Sequence, residues 1–328
     1  MRCTNKQLRA VILLLLVTCI FLAACSNTAN DTTEPEETKN MFANSMQKSD
    51  PSEDDVFNLL LVGNSGTYYY VDELHGLAKA AGISMRVCNV YYSGCLPSQH
   101  YNWWQNGEAH YQFYTTDENG RVESGKDVDL MFCLKQRNWD AIGMCDGGQA
   151  KLRQTLPQQA FEERKFHLEE LYGLYRKEFP MAKLYWQESC PFEVGYNSAF
   201  KIASYEDQQQ DLISVFRPVA KLISENLGVD WVPRGDAAQL ARANPLVTNT
   251  TARLGVNGNN GDLYHDGDIG GGQYLTACVW FEVLTGQSCI GNTFRPVYKY
   301  AGQEYTLSED MIAVLQQAAH EAVANKNN

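Results

Sequence analysis

Two hydrophobic patterns alternate along this chain. Short apolar runs between turn residues predict buried strands at 58–62, 84–91, 139–144, 182–188 and 229–232. Stretches with an apolar residue every three or four positions predict helices at 71–81, 127–137, 161–178, 205–226, 269–284 and from Ser308 onward. Polar and apolar residues alternating around Asp117-Glu118-Asn119-Gly120 predict a β-hairpin at 111–122. Repeated strand–helix units predict an α/β fold, with a parallel sheet covered by helices on both faces.

The first strand leads directly into a turn that contains a serine. Leu59–Val62 continues into Gly63-Asn64-Ser65-Gly66, and the helical pattern follows. Open α/β sheets bind ligands at the carboxyl ends of their strands, where N–H groups of a helix start can hold an anion. This position suits Ser65 as a nucleophile. The alternative is that Ser65 only caps the helix.

The N-terminus has the pattern of an export signal. Cationic residues precede an apolar run of 12 residues at 11–22, too short to span a bilayer, and the run ends in Leu22-Ala23-Ala24-Cys25. This box predicts a lipoprotein signal peptide at 1–24 and lipidation of Cys25, with the protein exported and anchored on the outer side of a bacterial membrane, at the cell surface or in the periplasm. The alternative is a plain secretory signal with an incidental cysteine. Residues 25–55, polar and acidic, predict a disordered tether before a domain at 56–328.

The net charge and the cysteine spacing bear on which ligands and cross-links the protein has. A formal net charge of −12 argues against nucleic acid as a partner. Export permits disulfides, and the pairs closest in sequence are Cys88–Cys95 and Cys278–Cys289, but spacing does not fix their connectivity. No cysteine pair has zinc-site spacing, and the loop 257–268 lacks the spacing of an EF-hand. We therefore expect no metal and no cofactor.

Several motifs resemble, in chain order, the blocks of the SGNH (GDSL-type) hydrolase superfamily, in particular an uncharacterised bacterial branch of it. The motifs are Gly63-Asn64-Ser65, Tyr92-Ser93-Gly94-Cys95-Leu96 with His100-Tyr101-Asn102, Trp139-Asp140-Ala141-Ile142, Trp186-Gln187, and Asp266-Gly267 with Gly272-Gln273-Tyr274-Leu275 and 279–284. The resemblance covers residues 58 to about 286. It implies a three-layer α/β/α sandwich with a flavodoxin-like parallel sheet. It also implies that Ser65 is a nucleophile and that the N–H groups of Ser65 and Gly94 form an oxyanion hole.

The chain departs from this family pattern at two places. The histidine expected three positions after Asp266 is replaced by Ile269. The amide that the third block supplies to the oxyanion hole is displaced or lost, since the strand ends in Met144-Cys145-Asp146-Gly147-Gly148-Gln149. Five residues near the blocks are candidates for lining the site: Asn64, His100, Cys145, Asp146 and Gln149.

A second histidine can replace the missing one. Asp262-Leu263-Tyr264-His265 has the spacing of a histidine oriented by a carboxylate on the same loop, and Asp266 is an alternative orienting residue. A neutral imidazole can take the serine proton at neutral pH. The alternative is that His265 is a solvated loop residue.

Aromatic residues cluster in sequence beside the first two blocks. They are Tyr68-Tyr69-Tyr70, Tyr91-Tyr92, Tyr101 and Trp103-Trp104. Such residues can form a platform for carbohydrate, or they can belong to the core. Taken together, the sequence predicts a surface-tethered serine esterase that deacylates, for instance deacetylates, glycans or other small acyl esters. The alternative is a catalytically degenerate lipoprotein that binds glycan or cell-wall material.

Overall fold

A seven-stranded sheet forms the centre of the domain. The computed structural model describes residues 55–196, 198–250, 263, 271–300 and 303–327. The strands are β1 Phe57–Gly63, β2 Met85–Tyr91, β3 Tyr111–Asp117, β4 Gly120–Val128, β5 Ala141–Met144, β6 Lys183–Gln187, β7 Asp230–Val232, and a separate antiparallel pair, β8 Val297–Tyr300 and β9 Gln303–Thr306. The sheet order is β4-β3-β2-β1-β5-β6-β7. Strands β2, β1, β5, β6 and β7 are parallel, and the β3–β4 hairpin adds two antiparallel strands beside β2.

Eleven helices are assigned within the described residues. They are α1 Ser65–Tyr68, α2 Val71–Ala80, α3 Pro97–Asn106, α4 Leu130–Leu134, α5 Gln149–Leu152, α6 Pro157–Glu178, α7 Tyr205–Asp211, α8 Arg217–Leu227, α9 Arg234–Arg242, α10 Gly272–Thr285 and α11 Glu309–Asn325. A short 3₁₀ turn spans Ser198–Phe200, and a π-helical turn at Leu212–Phe216 joins α7 to α8. Because Pro218 has no N–H to donate, the widened turn just before it accommodates a proline within one long helical segment.

The central strand β1 separates two hydrophobic cores. Its residues point alternately to opposite faces of the sheet, so Leu59 and Leu61 enter one core while Leu60 and Val62 enter the other. Helices α2, α9, α10 and α11 cover the first face, and α3, α4, α6 and α8 cover the second. The predicted α/β/α sandwich with a largely parallel sheet is therefore confirmed.

Two sequence-based boundaries were wrong. The helix predicted at 127–137 is confined to Leu130–Leu134, because the second hairpin strand extends to Val128. Asp129 caps this short helix by accepting a hydrogen bond from the Phe132 N–H at 2.7 Å. The pattern also missed α3 and α9. Pro97 in the first turn of α3 and a left-handed Gly107 at its end are boundary signals that were present.

The cysteines of the described domain form no disulfide bonds. Cys88, Cys95, Cys278 and Cys289 are all buried free thiols, as are the other three cysteines of the described domain.

Across the described ranges, no helix has both the length and the hydropathy of a membrane span. The same ranges contain no group of three or more histidine, cysteine or acidic side chains arranged to hold a metal ion. Cys25 and the segments predicted as signal peptide and tether lie outside the described residues, apart from Asp55.

A buried acidic pair lies just past the ends of β6 and β7. Glu188 is fully buried, accepts a hydrogen bond from the Asp236 N–H at 3.0 Å, and has its second oxygen, Oε1, buried without a partner. Burial, and then the nearby Asp236 carboxyl group, raise the pKa of Glu188 well above its ordinary value. Burial also raises the pKa of Asp236, although Arg217 forms an ion pair with it. The pair therefore favours retaining a proton that the unfolded chain would release.

Replacing Gly143 tests the packing of β5 beneath α10. In Gly143→Ala, the new Cβ would lie 2.4 Å from Trp280 Cη2, in the core. We expect this overpacking to lower the free energy of unfolding by about 1–3 kcal/mol in urea titrations. Gly173→Ala is the matched control, because Gly173 is exposed on α6 with nothing within 4 Å of the added Cβ. This control should raise the free energy of unfolding by about 0.5–1 kcal/mol. Equal effects of the two variants would contradict the packing.

The acidic pair predicts a specific pH dependence of stability. Because the folded pKa of Glu188 is raised, its contribution is fully present below its ordinary pKa and is lost as pH rises toward the raised value. Glu188→Gln should therefore become progressively more stable than the wild type between about pH 5 and pH 8 in urea titrations. Glu309→Gln is the control, because Arg295 lowers the pKa of the exposed Glu309. This variant should be less stable than the wild type, so the difference in free energy of unfolding has the opposite sign. A pH-independent difference for Glu188→Gln would refute this assignment.

Candidate active site

Three strand-end loops meet around Ser65. The loops after β1, β2 and β5 are joined at the carbonyl oxygen of Cys95, which accepts hydrogen bonds from Asn64 Nδ2 at 3.2 Å and from the Gly147 N–H at 3.1 Å. Gly147 must be a glycine here, because a Cβ would lie 2.5 Å from the Gly94 carbonyl oxygen. Gly94 is exposed and has a φ of +65°, a conformation that favours glycine. The sheet thus brings Asn64, Ser65 and Gly94 to one edge.

Asn64, not Ser65, caps the helix that follows β1. Its Oδ1 accepts a hydrogen bond from the Gly66 N–H at 2.8 Å, and its backbone carbonyl accepts from the Thr67 N–H at 2.9 Å and from Thr67 Oγ1 at 3.0 Å. Ser65 is the first helical residue and is only partly buried. The alternative role considered for Ser65, that of a cap, is therefore performed by its neighbour.

Gln187, at the end of β6, holds this turn from below. Its Nε2 donates to the Gly66 carbonyl at 2.8 Å, and its Oε1 accepts from the Tyr70 hydroxyl at 2.8 Å and from Trp280 Nε1 at 2.7 Å. All three bonds are buried or nearly so, and burial raises the pKa of Tyr70 well above its ordinary value. The sequence comparison identified Gln187 only as part of a motif. Its supporting role depends on contacts between distant segments.

Cys145 and Asp146 have structural partners at the end of β5. A Cβ added at Gly63 would lie 2.8 Å from Cys145 Sγ, so this thiol fills the space beneath the serine turn. Burial raises the pKa of Cys145 to about 12, which leaves the thiol protonated and a poor nucleophile at neutral pH. Asp146 forms a buried ion pair with Arg164 and accepts a hydrogen bond from the Gly148 N–H at 2.6 Å.

The first side-chain amide after β5 belongs to Gln149. Gln149 begins the short helix α5 and is partly buried, and its Oε1 is buried without a hydrogen-bond partner. The structure therefore provides no amide at Cys145 or Asp146, the two positions directly after β5.

His100 lies inside the domain. It has no exposed surface, its Nδ1 is 2.9 Å from the Tyr111 hydroxyl, and the two rings stack with an interplanar angle of 12°. Burial lowers the pKa of His100 to about 3, so the ring is neutral at physiological pH. In this structure the His100 ring is therefore not part of the accessible surface around Ser65.

The predicted general base lies outside the described residues. This applies to His265, Asp262, Asp266 and Ile269 alike. Leu263 is described and is buried in the core. Its backbone lies against Gly272, because a Cβ added at Gly272 would lie 2.8 Å from Leu263 Cα.

The first turns of α10 lie at the same sheet edge as Ser65. Thr276 Oγ1 accepts a hydrogen bond from Arg234 Nε at 3.2 Å, and Arg234 begins α9 directly after the end of β7. Because the parallel strands end at one edge of the sheet, the chain enters α10 on the side where β1 ends. His265 follows the anchored Leu263 by two residues.

Two groups of aromatic rings flank the serine turn. Tyr68 contacts Tyr91 and Tyr114 at centroid distances of 4.7 and 5.0 Å, and the Arg121 guanidinium lies 4.5 Å above the Tyr68 ring. On the other side, Tyr92 and Trp103 meet at 4.8 Å. Tyr92 is 38% exposed, and Tyr68 and Tyr91 are partly exposed. Both groups therefore combine packing with accessible ring surface.

Several solved structures are similar to this chain. The chain is similar to a DUF4886 family protein from Bacteroides uniformis, with 23% identity over 84% of this chain and 97% of that chain and a TM-score of 0.65. A putative GDSL-like lipase from Parabacteroides merdae matches with 16% identity over 71% and 97% of the two chains and a TM-score of 0.42. Phospholipase A1 from Streptomyces albidoflavus matches with 13% identity over 70% and 98% and a TM-score of 0.38.

The sequence comparisons give the family directly. No curated protein is similar enough to count as a match. Other similar solved structures include an SGNH-hydrolase family esterase, with 15% identity over 63% of this chain and 90% of that chain and a TM-score of 0.36. Residues 58–321 match the family described as a domain of unknown function, DUF4886, and this match spans most of the chain. The chain therefore belongs to the DUF4886 family.

Proposed function

We propose that this protein is a serine esterase of the SGNH type that removes acyl groups from glycans or other small acyl esters. One observation carries the proposal. Ser65 begins a helix at the carboxyl end of the central strand, and the side chain that caps this helix is that of Asn64. This leaves a partly accessible serine hydroxyl at the sheet edge where α/β folds bind ligands.

The proposed reaction is acyl transfer to Ser65 followed by hydrolysis. Ser65 Oγ attacks the ester carbonyl while His265 accepts its proton and returns it to the leaving alcohol. A water molecule, deprotonated by His265, then releases the acid from the acyl-enzyme. Asp262 or Asp266 orients the imidazole, and the N–H groups of Ser65 and Gly94 stabilise the oxyanion.

Chain connectivity supports His265 as the base. Leu263 is anchored against the start of α10, and a two-residue extension spans at most about 7 Å. The sequence position of His265, two residues after Leu263, is therefore the basis for proposing it as the base.

The accessible rings beside Ser65 support a carbohydrate substrate. Aromatic faces with polar tips, such as those of Tyr68, Tyr91 and Tyr92, offer a large contact area for sugar rings. In this proposal the protein is exported and held at the outer side of a bacterial membrane through a lipid on Cys25, where glycan esters would be its substrates.

One observation favours a second candidate function, binding of glycan or cell-wall material without catalysis. The two residues after β5 supply a buried thiol and an ion-paired carboxylate instead of an oxyanion-hole amide. Loss of one oxyanion donor costs about 10²–10³-fold in rate. A protein that has lost catalytic activity would retain the fold and the aromatic surface for binding.

Ser65→Ala tests the nucleophile. We expect the rate of p-nitrophenyl acetate hydrolysis to fall by at least about 10³-fold, since no other group forms the acyl-enzyme. Circular dichroism should show an unchanged fold. Ser84→Ala, an exposed serine before β2, is the matched control and should retain full activity. Full activity of Ser65→Ala would exclude this mechanism.

His265→Gln tests the base separately from the fold. We expect a loss of about 10³-fold or more in kcat, with KM nearly unchanged, because the imidazole acts on the reacting proton. His320→Gln, a histidine on α11 that lies beside Ser288 and Glu282, should behave as the wild type. Glycan-array binding by a wild-type protein that hydrolyses no ester would instead select the binding function.

A further inference from the structure

A cavity lies away from the serine turn, beside the edge strand β7. It has a volume of about 410 Å³ and is enclosed by residues of α7, α8, α9, β7, α11 and the π-helical turn. This volume is at the small end of the range for small-molecule sites. None of its lining residues belongs to the serine turn or to the loops after β2 and β5.

The cavity is positively charged in a strongly acidic protein. Arg217, Lys221 and Lys326 line it, and Asp236 is its one acidic lining residue. Arg217 is paired with Asp236, and Lys326 Nζ is paired with Asp230 at 2.9 Å. Among the described residues, Lys221 has no hydrogen bond or ion pair, and its charge acts on the nearby Asp236 carboxyl group. Since the chain as a whole carries −12, this concentration of cations is local.

Gln239 lines the same cavity and has an unsatisfied acceptor. It is 2% exposed, and its Nε2 donates to the Tyr205 carbonyl at 3.0 Å, which fixes the orientation of the amide. Its Oε1 is buried and has no hydrogen-bond partner. Buried acceptors are almost always paired, so this oxygen indicates the place of a donor that a ligand would supply.

The remaining walls are apolar. Leu212, Trp231 and Leu240 line the cavity between the cationic side and α11. An apolar ring or short chain would bury its surface against them.

We propose that this cavity binds a small organic carboxylate that also carries a hydroxyl or amino donor. The carboxylate pairs with Lys221, the donor hydrogen-bonds to Gln239 Oε1, and the apolar body packs against Trp231 and Leu212. This site is separate from the esterase site and does not depend on the proposed activity.

Isothermal titration calorimetry with 4-hydroxybenzoate tests the proposal on the full folded protein. The probe combines a carboxylate, a ring and a hydroxyl donor. Two matched compounds separate these groups: 4-methoxybenzoate lacks the donor, and 4-hydroxybenzyl alcohol lacks the charge. We expect saturable binding of 4-hydroxybenzoate below about 10 mM, and affinities at least about tenfold weaker for both other compounds.

Variants assign the binding to this cavity. Lys221→Gln should weaken 4-hydroxybenzoate binding by about tenfold or more, whereas Lys79→Gln, an exposed lysine on α2, should leave it unchanged. Gln239→Leu should remove the preference for 4-hydroxybenzoate over 4-methoxybenzoate. If Gln239→Leu does not fold, the comparison of the two compounds on the wild type still tests the donor. Absence of saturable binding, or equal affinity in Lys221→Gln and the wild type, would overturn the proposal.

Discussion

The arrangement around Ser65 depends on the buried amide of Gln187. Its two ends satisfy three groups from separate segments: the Gly66 carbonyl, the Tyr70 hydroxyl and the Trp280 indole. Each of these groups would be costly to bury unpaired, at about 1–3 kcal/mol. One side chain therefore ties the serine turn to the end of β6 and to the middle of α10. The position of Ser65 follows from this link as much as from β1 itself.

Close backbone approach is the second constraint on the site. Gly63 and Gly66 lie over the Cys145 thiol, and Gly147 lies against the Gly94 carbonyl. The same packing that brings the loops together places the Cys145 thiol beneath the serine turn. A buried neutral thiol there supports the turn but supplies only a weak hydrogen-bond donor.

Local sequence patterns predicted the central parallel strands because these strands are buried on both faces. The apolar run 59–62 has no polar residue to break it, and the hairpin turn at 117–120 has its own signal. The helix predicted at 127–137 was wrong because pairing with β3 extended the strand through its first residues. The roles of Gln187, Asp146 and Glu188 could not be predicted, since each depends on partners far away in sequence. Likewise, the sequence placed His100 near the site, but burial against Tyr111 is a property of the folded core.

The central claim is that Ser65 is a nucleophile activated by its surroundings. Intact-protein mass spectrometry after treatment with a fluorophosphonate tests this claim most directly, because such reagents form a stable covalent bond with an activated serine. The account predicts a single adduct, located on Ser65 by peptide mapping. An unmodified protein, or an adduct at another serine, would contradict it.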